Sequence, residues 1–355
     1  MPRPVEDRQI QPRAAALERG PASTRVSRRN FVLGAAAGLS ALAVATPWPA
    51  RAAGAARAVA DSGARVIAET RLTPTMLDLT VDSPALAATA MVRLLHPADW
   101  TPGSARTWPV LYLLHGAGDD YTSWTRSTDV ATFTRGAEML VVMPSGGRDG
   151  FYSDWFNRGA GGPPAWETFH LTELRQILER GYGAGTVRSI AGLSMGGLGA
   201  MSYAGRHPGM FAAAAAYSGV VHTTYQAARG TSLIQGVLVK DGYDPTALWG
   251  DPNLNANVWA AHNPYDLAPN LTGIPLYLAC GNGTPGVLDP PGTPPDLFIE
   301  PLCAEMNTAF ARRLREVGAT VTADFYGPGT HNWPWWQRSL HQSLPLLTRP
   351  LRLGG

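Results

Sequence analysis

The chain has 355 residues, 45% of them apolar, with eleven tryptophans and a formal net charge of +2. That is enough apolar material for one large core or two small ones. No basic block follows the N-terminal region, so composition excludes an electrostatic nucleic-acid binder.

Residues 1–52 read as an export segment rather than as part of the fold. Ser27 to Leu33 carries an Arg28-Arg29 pair of the twin-arginine kind, and an uncharged apolar run extends from Phe31 to Thr46. Ala50-Arg51-Ala52 offers small residues for a signal peptidase. The run of about 16 residues is short against the ~20 of a membrane helix. A membrane anchor is the alternative, and no stable span is expected in a mature chain starting near Ala53. The expectation is a secreted or envelope protein with one domain over 53–355. Export permits a disulfide between the two cysteines, Cys280 and Cys303. Burial of Cys280 at the end of an apolar strand is the other reading.

The segments Arg65 to Leu72, Met76 to Val81 and Ala90 to Leu95 alternate like strands at an antiparallel edge. Trp108 to His115 is a continuous apolar run closed by Gly116, the pattern of a strand buried on both faces. Similar runs are Met139 to Pro144, Ser189 to Leu193, Phe211 to Ser218, Ile274 to Cys280 and Val321 to Tyr326. Helical spacing appears in Glu167 to Arg180, Gly197 to His207 and Leu302 to Val317. Strands alternating with helices predict an α/β fold with a mostly parallel central sheet and helices on both faces. Thr223 to Leu254 reads as irregular and Gly281 to Asp296 as a Gly/Pro-rich loop, and both are candidate walls of a site.

Gly192-x-Ser194-x-Gly196 sits between the strand ending at Leu193 and a small-residue helix. This is the context of a nucleophile elbow, which holds a serine above the sheet in a strained turn. In so glycine-rich a chain the five residues alone are a weak signal, and the flanking strand and helix strengthen it. The Met195 N–H would face an oxyanion at the helix N-terminus. The base should lie in a loop after a late strand. Among eight histidines His331 fits best, within Gly327 to Trp333, with a loop histidine packed by Trp333, Trp335 and Trp336 as the lesser alternative. His115 to Gly118 follows the first buried strand, where Ala117 would supply a second oxyanion N–H. Asp119-Asp120 reads as a solvated turn, without further ligands spaced for a metal. The acid should follow the strand ending at Cys280. Asp289, Asp296 and Glu300 are all within reach, and spacing does not choose among them.

Seven segments together resemble the secreted antigen 85 mycolyltransferases and their esterase relatives. They are Leu113 to Gly116 with Asp119 to Trp124, Val141 to Gly147, Phe151 to Trp155, Glu167 to Phe169, Gly192 to Met195, Cys280 to Pro285, and Gly329 to Trp333. The resemblance implies a single α/β-hydrolase domain with Ser194 as nucleophile, His331 as base, and Ala117 and Met195 amides as the oxyanion hole. A glutamate in a Phe-Leu-Glu-like sequence is the family's acid, which points to Glu300 in Phe298-Ile299-Glu300. It implies an acyl ester substrate, water or an alcohol or sugar as acceptor, and neither metal nor organic cofactor. His115 stands where the mycolyltransferases carry a trehalose-binding aspartate, and the shorter loop to Asp119-Asp120 leaves no following arginine. Trehalose recognition therefore does not carry over, while the acyl-enzyme machinery does. His115 and Trp333 are the candidate substrate-binding residues. The competing class is a silent envelope or matrix-binding protein on the same scaffold. Oligomeric state is not encoded in any of these motifs.

Overall fold

The computed structural model describes residues 58–352, so the twin-arginine segment lies outside the described residues. Nine strands form one sheet: β1 (Arg65–Thr73), β2 (Met76–Ser83), β3 (Ala88–Leu95), β4 (Trp108–Leu114), β5 (Leu140–Pro144), β6 (Ala184–Leu193), β7 (Ala213–Tyr217), β8 (Leu276–Gly281) and β9 (Val321–Gly327). Their spatial order is β1-β2-β3-β5-β4-β6-β7-β8-β9. The first three strands and β5 pair antiparallel, and β5-β4-β6-β7-β8-β9 pair parallel. This is the α/β-hydrolase arrangement, with the expected antiparallel edge.

Hydrophobic periodicity explains the layout. In β4 only Pro109 is part-exposed, and every residue of β5 and β7 is buried. Both faces of these strands are covered, and each large aliphatic side chain so buried contributes about 1.5–3 kcal/mol. Ile190 of β6 joins a core on one face with Val110 and Ala214. Its neighbour Ala191 joins the other core with Leu111 and Ala215. This period-2 alternation is what a two-sided core requires.

The helices are α1 (Ser123–Ser127), α2 (Val130–Phe133), α3 (Trp166–Thr168), α4 (Arg175–Gly181), α5 (Met195–Arg206), α6 (Arg229–Lys240), α7 (Ala256–Ala261), α8 (Ile299–Glu316) and α9 (Trp333–Arg352). A π-helical stretch, Phe169–Leu174, joins α3 to α4. Met195, Leu198 and Met201 of α5 and Met306, Phe310 and Leu314 of α8 fill one core. Leu340, Leu347 and Leu351 of α9 fill the other. One expectation needs correction. Within the supposedly irregular 223–254 segment, α6 forms because Ile234 and Leu238 recur at helical spacing and bury. The long α9 runs through Pro345 and Pro350, residues that disfavour a helix interior.

Candidate active site

Parallel pairing brings the carboxyl ends of β4, β6, β7, β8 and β9 to one edge, where α/β folds place their sites. Leu114 lies beside Gly192, and Leu193 beside Tyr217. The loops that follow these strands are therefore neighbours.

Ser194 follows β6 with φ 51° and ψ −118°, left-handed backbone that a non-glycine residue adopts at a cost of about 1–3 kcal/mol. The turn is held from several sides. The Ser194 N–H donates to Tyr217 O at 2.9 Å, and Ser194 O accepts from the Gly197, Leu198 and Val220 amides. The elbow also demands its glycines. A Cβ at Gly192 would lie 2.1 Å from Gly196 O, and one at Gly196 would lie 2.4 Å from Leu114 O. Met195 opens α5, and no loop, turn or cap hydrogen bond among the described residues uses its N–H or that of Ala117. Both amides remain available at a helix N-terminus and an adjoining loop.

Of the three candidate carboxylates, Glu300 is the one that meets His331. Its Oε2 lies 2.6 Å from His331 Nδ1. Its Oε1 accepts from the Gly281 N–H at 2.7 Å and the Ser218 hydroxyl at 2.8 Å. Burial would push this fully enclosed carboxyl up, but the hydrogen bond and charge of His331, with the Gly281 and Ser218 donors, outweigh it and hold it below its ordinary range. The other two acids do different work. Asp296 caps α8, accepting from the Phe298 and Ile299 amides at 2.9 Å each and from Glu300 N–H at 3.0 Å. Asp289 accepts from Trp335 Nε1 at 2.9 Å and from the Thr330 hydroxyl, bracing the loop that carries His331.

Ser194, His331, Gly116, Ala117, Asp119, Leu193, Asn332, Trp333 and Trp336 line one cavity of about 260 Å³. No hydrogen bond joins Ser194 to His331 among the described residues, and unliganded sites commonly close that contact only around substrate. Trp336 meets the His331 ring edge-on at 5.0 Å and Trp333 at 5.2 Å. Buried Trp124 packs against Trp333 at 5.3 Å. Trp333 is thus on the cavity wall. A separate cleft of about 370 Å³ between Tyr225, Glu305 and Arg312 holds none of the candidate residues, so its size does not make it the site.

Three expectations are corrected, and of the two readings of the cysteines burial without a bridge is the one found. His115 is buried beneath the loop instead of facing the cavity. Its Nδ1 lies 2.8 Å from Gly116 O, and its Nε2 accepts from the Gly146 N–H at 2.8 Å. Burial lowers its pKa, which favours the neutral ring those bonds need. Asp119, expected in a solvated turn, lines the cavity and pairs with Arg126 at 2.6 Å, so an arginine does stand near this loop. The 223–254 and 281–296 segments contribute no lining residue to the cavity. Cys280 and Cys303 are buried free thiols, and Cys280 Sγ lies 3.4 Å from Glu300 Oε1. Among the described residues no group of three or more His, Cys, Asp or Glu is placed to hold a metal.

Ser218 was missed from sequence. It follows β7 with φ 46°, supports Glu300, and accepts from Trp336 Nε1 at 3.1 Å. Its signal was available in its place directly after a buried strand beside the elbow.

The family model described as "Putative esterase" matches residues 83–347. The chain belongs to this esterase family. The diacylglycerol acyltransferase/mycolyltransferase Ag85B of Mycobacterium intracellulare is 33% identical over 255 residues, covering 68% of this chain and 76% of that protein. Among solved structures, Mycobacterium tuberculosis MPT51 (FbpC1) superposes with a TM-score of 0.61 at 24% identity, covering 75% of this chain and 94% of MPT51. An S-formylglutathione hydrolase from Agrobacterium tumefaciens gives 0.60 at 16% identity, covering 81% of this chain and 99% of the hydrolase. These two structural likenesses establish the α/β-hydrolase fold of the esterase. The Ag85B likeness establishes its kinship with enzymes that transfer or hydrolyse acyl groups.

Proposed function

We propose that this esterase is an exported serine esterase or acyltransferase working through Ser194, His331 and Glu300. The observation that carries the reading is the cavity shared by a strained Ser194 and a His331 whose Nδ1 is held by Glu300. His331 takes the Ser194 proton as the hydroxyl oxygen attacks an ester carbonyl. Glu300 keeps the proton of the neutral ring on Nδ1 and balances the imidazolium that forms. The Ala117 and Met195 amides bind the oxyanion, each worth on the order of 3 kcal/mol. Collapse of the tetrahedral intermediate breaks the ester C–O bond, and the imidazolium protonates the departing alkoxide. Water or an alcohol then loses its proton to His331 and attacks the acyl-enzyme, releasing acid or a new ester. The mature chain would begin near Ala53 as one domain, outside the cytoplasm.

The triad does not choose between hydrolysis and transfer. That depends on how well a bound alcohol competes with water at about 55 M, which positioning must overcome. The test uses a short p-nitrophenyl ester with and without trehalose or glycerol, following phenol and acylated acceptor. A fluorophosphonate probe is applied in parallel. Labelling at Ser194 with free acid as product supports an esterase, and an acylated acceptor supports a transferase. Absence of labelling and turnover in wild type and Ser194→Ala alike, with long-chain esters also inert, would replace this reading with a binding scaffold.

A further inference from the structure

The loop carrying the Ala117 amide is fastened to a second loop, 145–150, at two points. The Gly146 N–H donates to His115 Nε2, and the Gly118 N–H donates to Arg148 O at 2.7 Å. Whatever fixes the second loop therefore fixes the oxyanion donor. Asp149 stands next to Arg148 in that loop and is only 2% exposed, with both carboxyl oxygens buried and no hydrogen-bond donor on either. A buried carboxylate without donors is costly, and a protonated carboxyl that finds an acceptor is not. The acceptor is at hand. Asp241, at the C-terminal end of α6, shares the Arg148 guanidinium with Asp149. Arg148 Nε lies 2.9 Å from Asp241 Oδ2 and 3.8 Å from Asp149 Oδ2.

We propose that Asp149 and Asp241 share one proton and, through the Arg148 peptide, form a clasp that positions the Ala117 amide for the oxyanion. Asp149 is a positioning residue, two peptide contacts removed from the reacting atoms. The inference rests on the serine-enzyme reading of the cavity. The charged and titratable groups around the pair are Arg148, Lys240, Asp241 and Tyr243. Burial and then the Asp241 hydrogen bond and charge raise Asp149 to about 7, against the smaller opposing pull of Arg148 and Lys240. Arg148 holds Asp241 below its ordinary range, so Asp241 is the acceptor. As pH rises through neutrality, Asp149 loses its proton beside an existing carboxylate. The two anions then compete for one guanidinium, and the loop loosens.

The experiment measures kcat and KM for a soluble ester from about pH 5.5 to about pH 9 in wild type, Asp149→Asn and Asp241→Asn. Wild type should lose about tenfold in kcat at the alkaline end, a part of what one oxyanion donor is worth, with KM little changed. The Asp149→Asn side chain still donates to Asp241 but cannot ionise, so its alkaline decline should vanish. Asp241→Asn leaves Arg148 with a single anion after Asp149 ionises, so the competition and the alkaline decline should vanish there too. An alkaline limb identical in all three proteins overturns the clasp. Melting temperature gives a readout that needs no activity. The gain of Asp149→Asn over wild type should widen from about pH 5.5 to about pH 8.5, because a carboxyl with a raised pKa withdraws stability as pH rises. A constant difference also overturns the proposal. Loss of turnover at every pH together with a widening melting difference would instead sink the serine-enzyme reading and leave the carboxyl pair standing.

Discussion

Glu300→Gln tests the proposed acid by exploiting its surroundings. The two carboxylate oxygens are not equivalent. Oε1 faces two donors, the Gly281 N–H at 2.7 Å and the Ser218 hydroxyl at 2.8 Å, while Oε2 faces only His331 Nδ1 at 2.6 Å. A glutamine must put its carbonyl oxygen toward the two donors, because an NH2 group there would oppose the fixed Gly281 N–H. Its NH2 then points at His331 Nδ1, which can only accept from it. The ring proton moves to Nε2, on the side facing Ser194, and the base becomes a donor. The loss of the right tautomer and of the balancing charge should lower kcat about 10³–10⁴-fold with KM nearly unchanged. The assay is steady-state ester hydrolysis on the mature protein, with the rate of fluorophosphonate labelling as a second measure of Ser194 nucleophilicity. Because the folded pKa of Glu300 is depressed, its charge stabilises the fold above the ordinary value of 4.5, and that contribution is lost as pH falls through the folded pKa. The variant should therefore show a shallower fall in melting temperature below about pH 4.5. A kcat within threefold of wild type would refute the argument, since it would mean that His331 works without this carboxylate.

Gly196→Ala should abolish soluble expression or cost about 3 kcal/mol or more in chemical denaturation, because the new Cβ would lie 2.4 Å from Leu114 O and 2.6 Å from His115 O. Asp296→Ala leaves three α8 amides without their acceptor, and should cost about 1–2 kcal/mol in urea melts and lower kcat as Glu300 shifts. Trp333→Ala enlarges the cavity beside the base, and should change the ratio of acylated acceptor to free acid more than total acyl-enzyme formation, read from product ratios and burst amplitude.

Most of the sheet was legible because its signal is local. A strand covered on both faces must be apolar at every position, and Trp108–Leu114, Leu140–Pro144 and Ala213–Tyr217 each announce themselves this way. The elbow was legible because steric necessity writes glycine at Gly192 and Gly196. The last helix carries no such local signal. Pro345 and Pro350 sit inside α9, a helix held by the burial of Leu340, Leu347 and Leu351 against the sheet. Tertiary packing there outweighs the local preference. In α6 the apolar positions Ile234 and Leu238 carry the helix, and the Gly236 between them weakens the pattern to the eye.

The site was less legible than the fold for a physical reason: its defining distances cross the sheet, and sequence spacing does not measure them. Asp289, Asp296 and Glu300 were equivalent by reach along the chain. They separate only when β8 and β9 lie side by side, with Gly281 opposite Gly327, which brings the start of α8 against the loop after β9. One carboxylate then meets His331, one caps the helix, and one braces the histidine loop. Hydrogen-bond capacity accounts for the division. Asp296 spends its acceptors on three amides of the helix it precedes, and Asp289 spends its own on Gly286, Thr330 and Trp335. Glu300 alone has a spare oxygen, Oε2, directed at the ring. His115 follows the same logic. From sequence it resembled a substituted sugar-binding residue, but its two ring nitrogens are committed to Gly116 and Gly146. A side chain whose donors and acceptors are all engaged inside the protein has none left for a substrate. In this chain, counting unspent hydrogen-bonding capacity separates residues that line the cavity from residues that hold the loops around it.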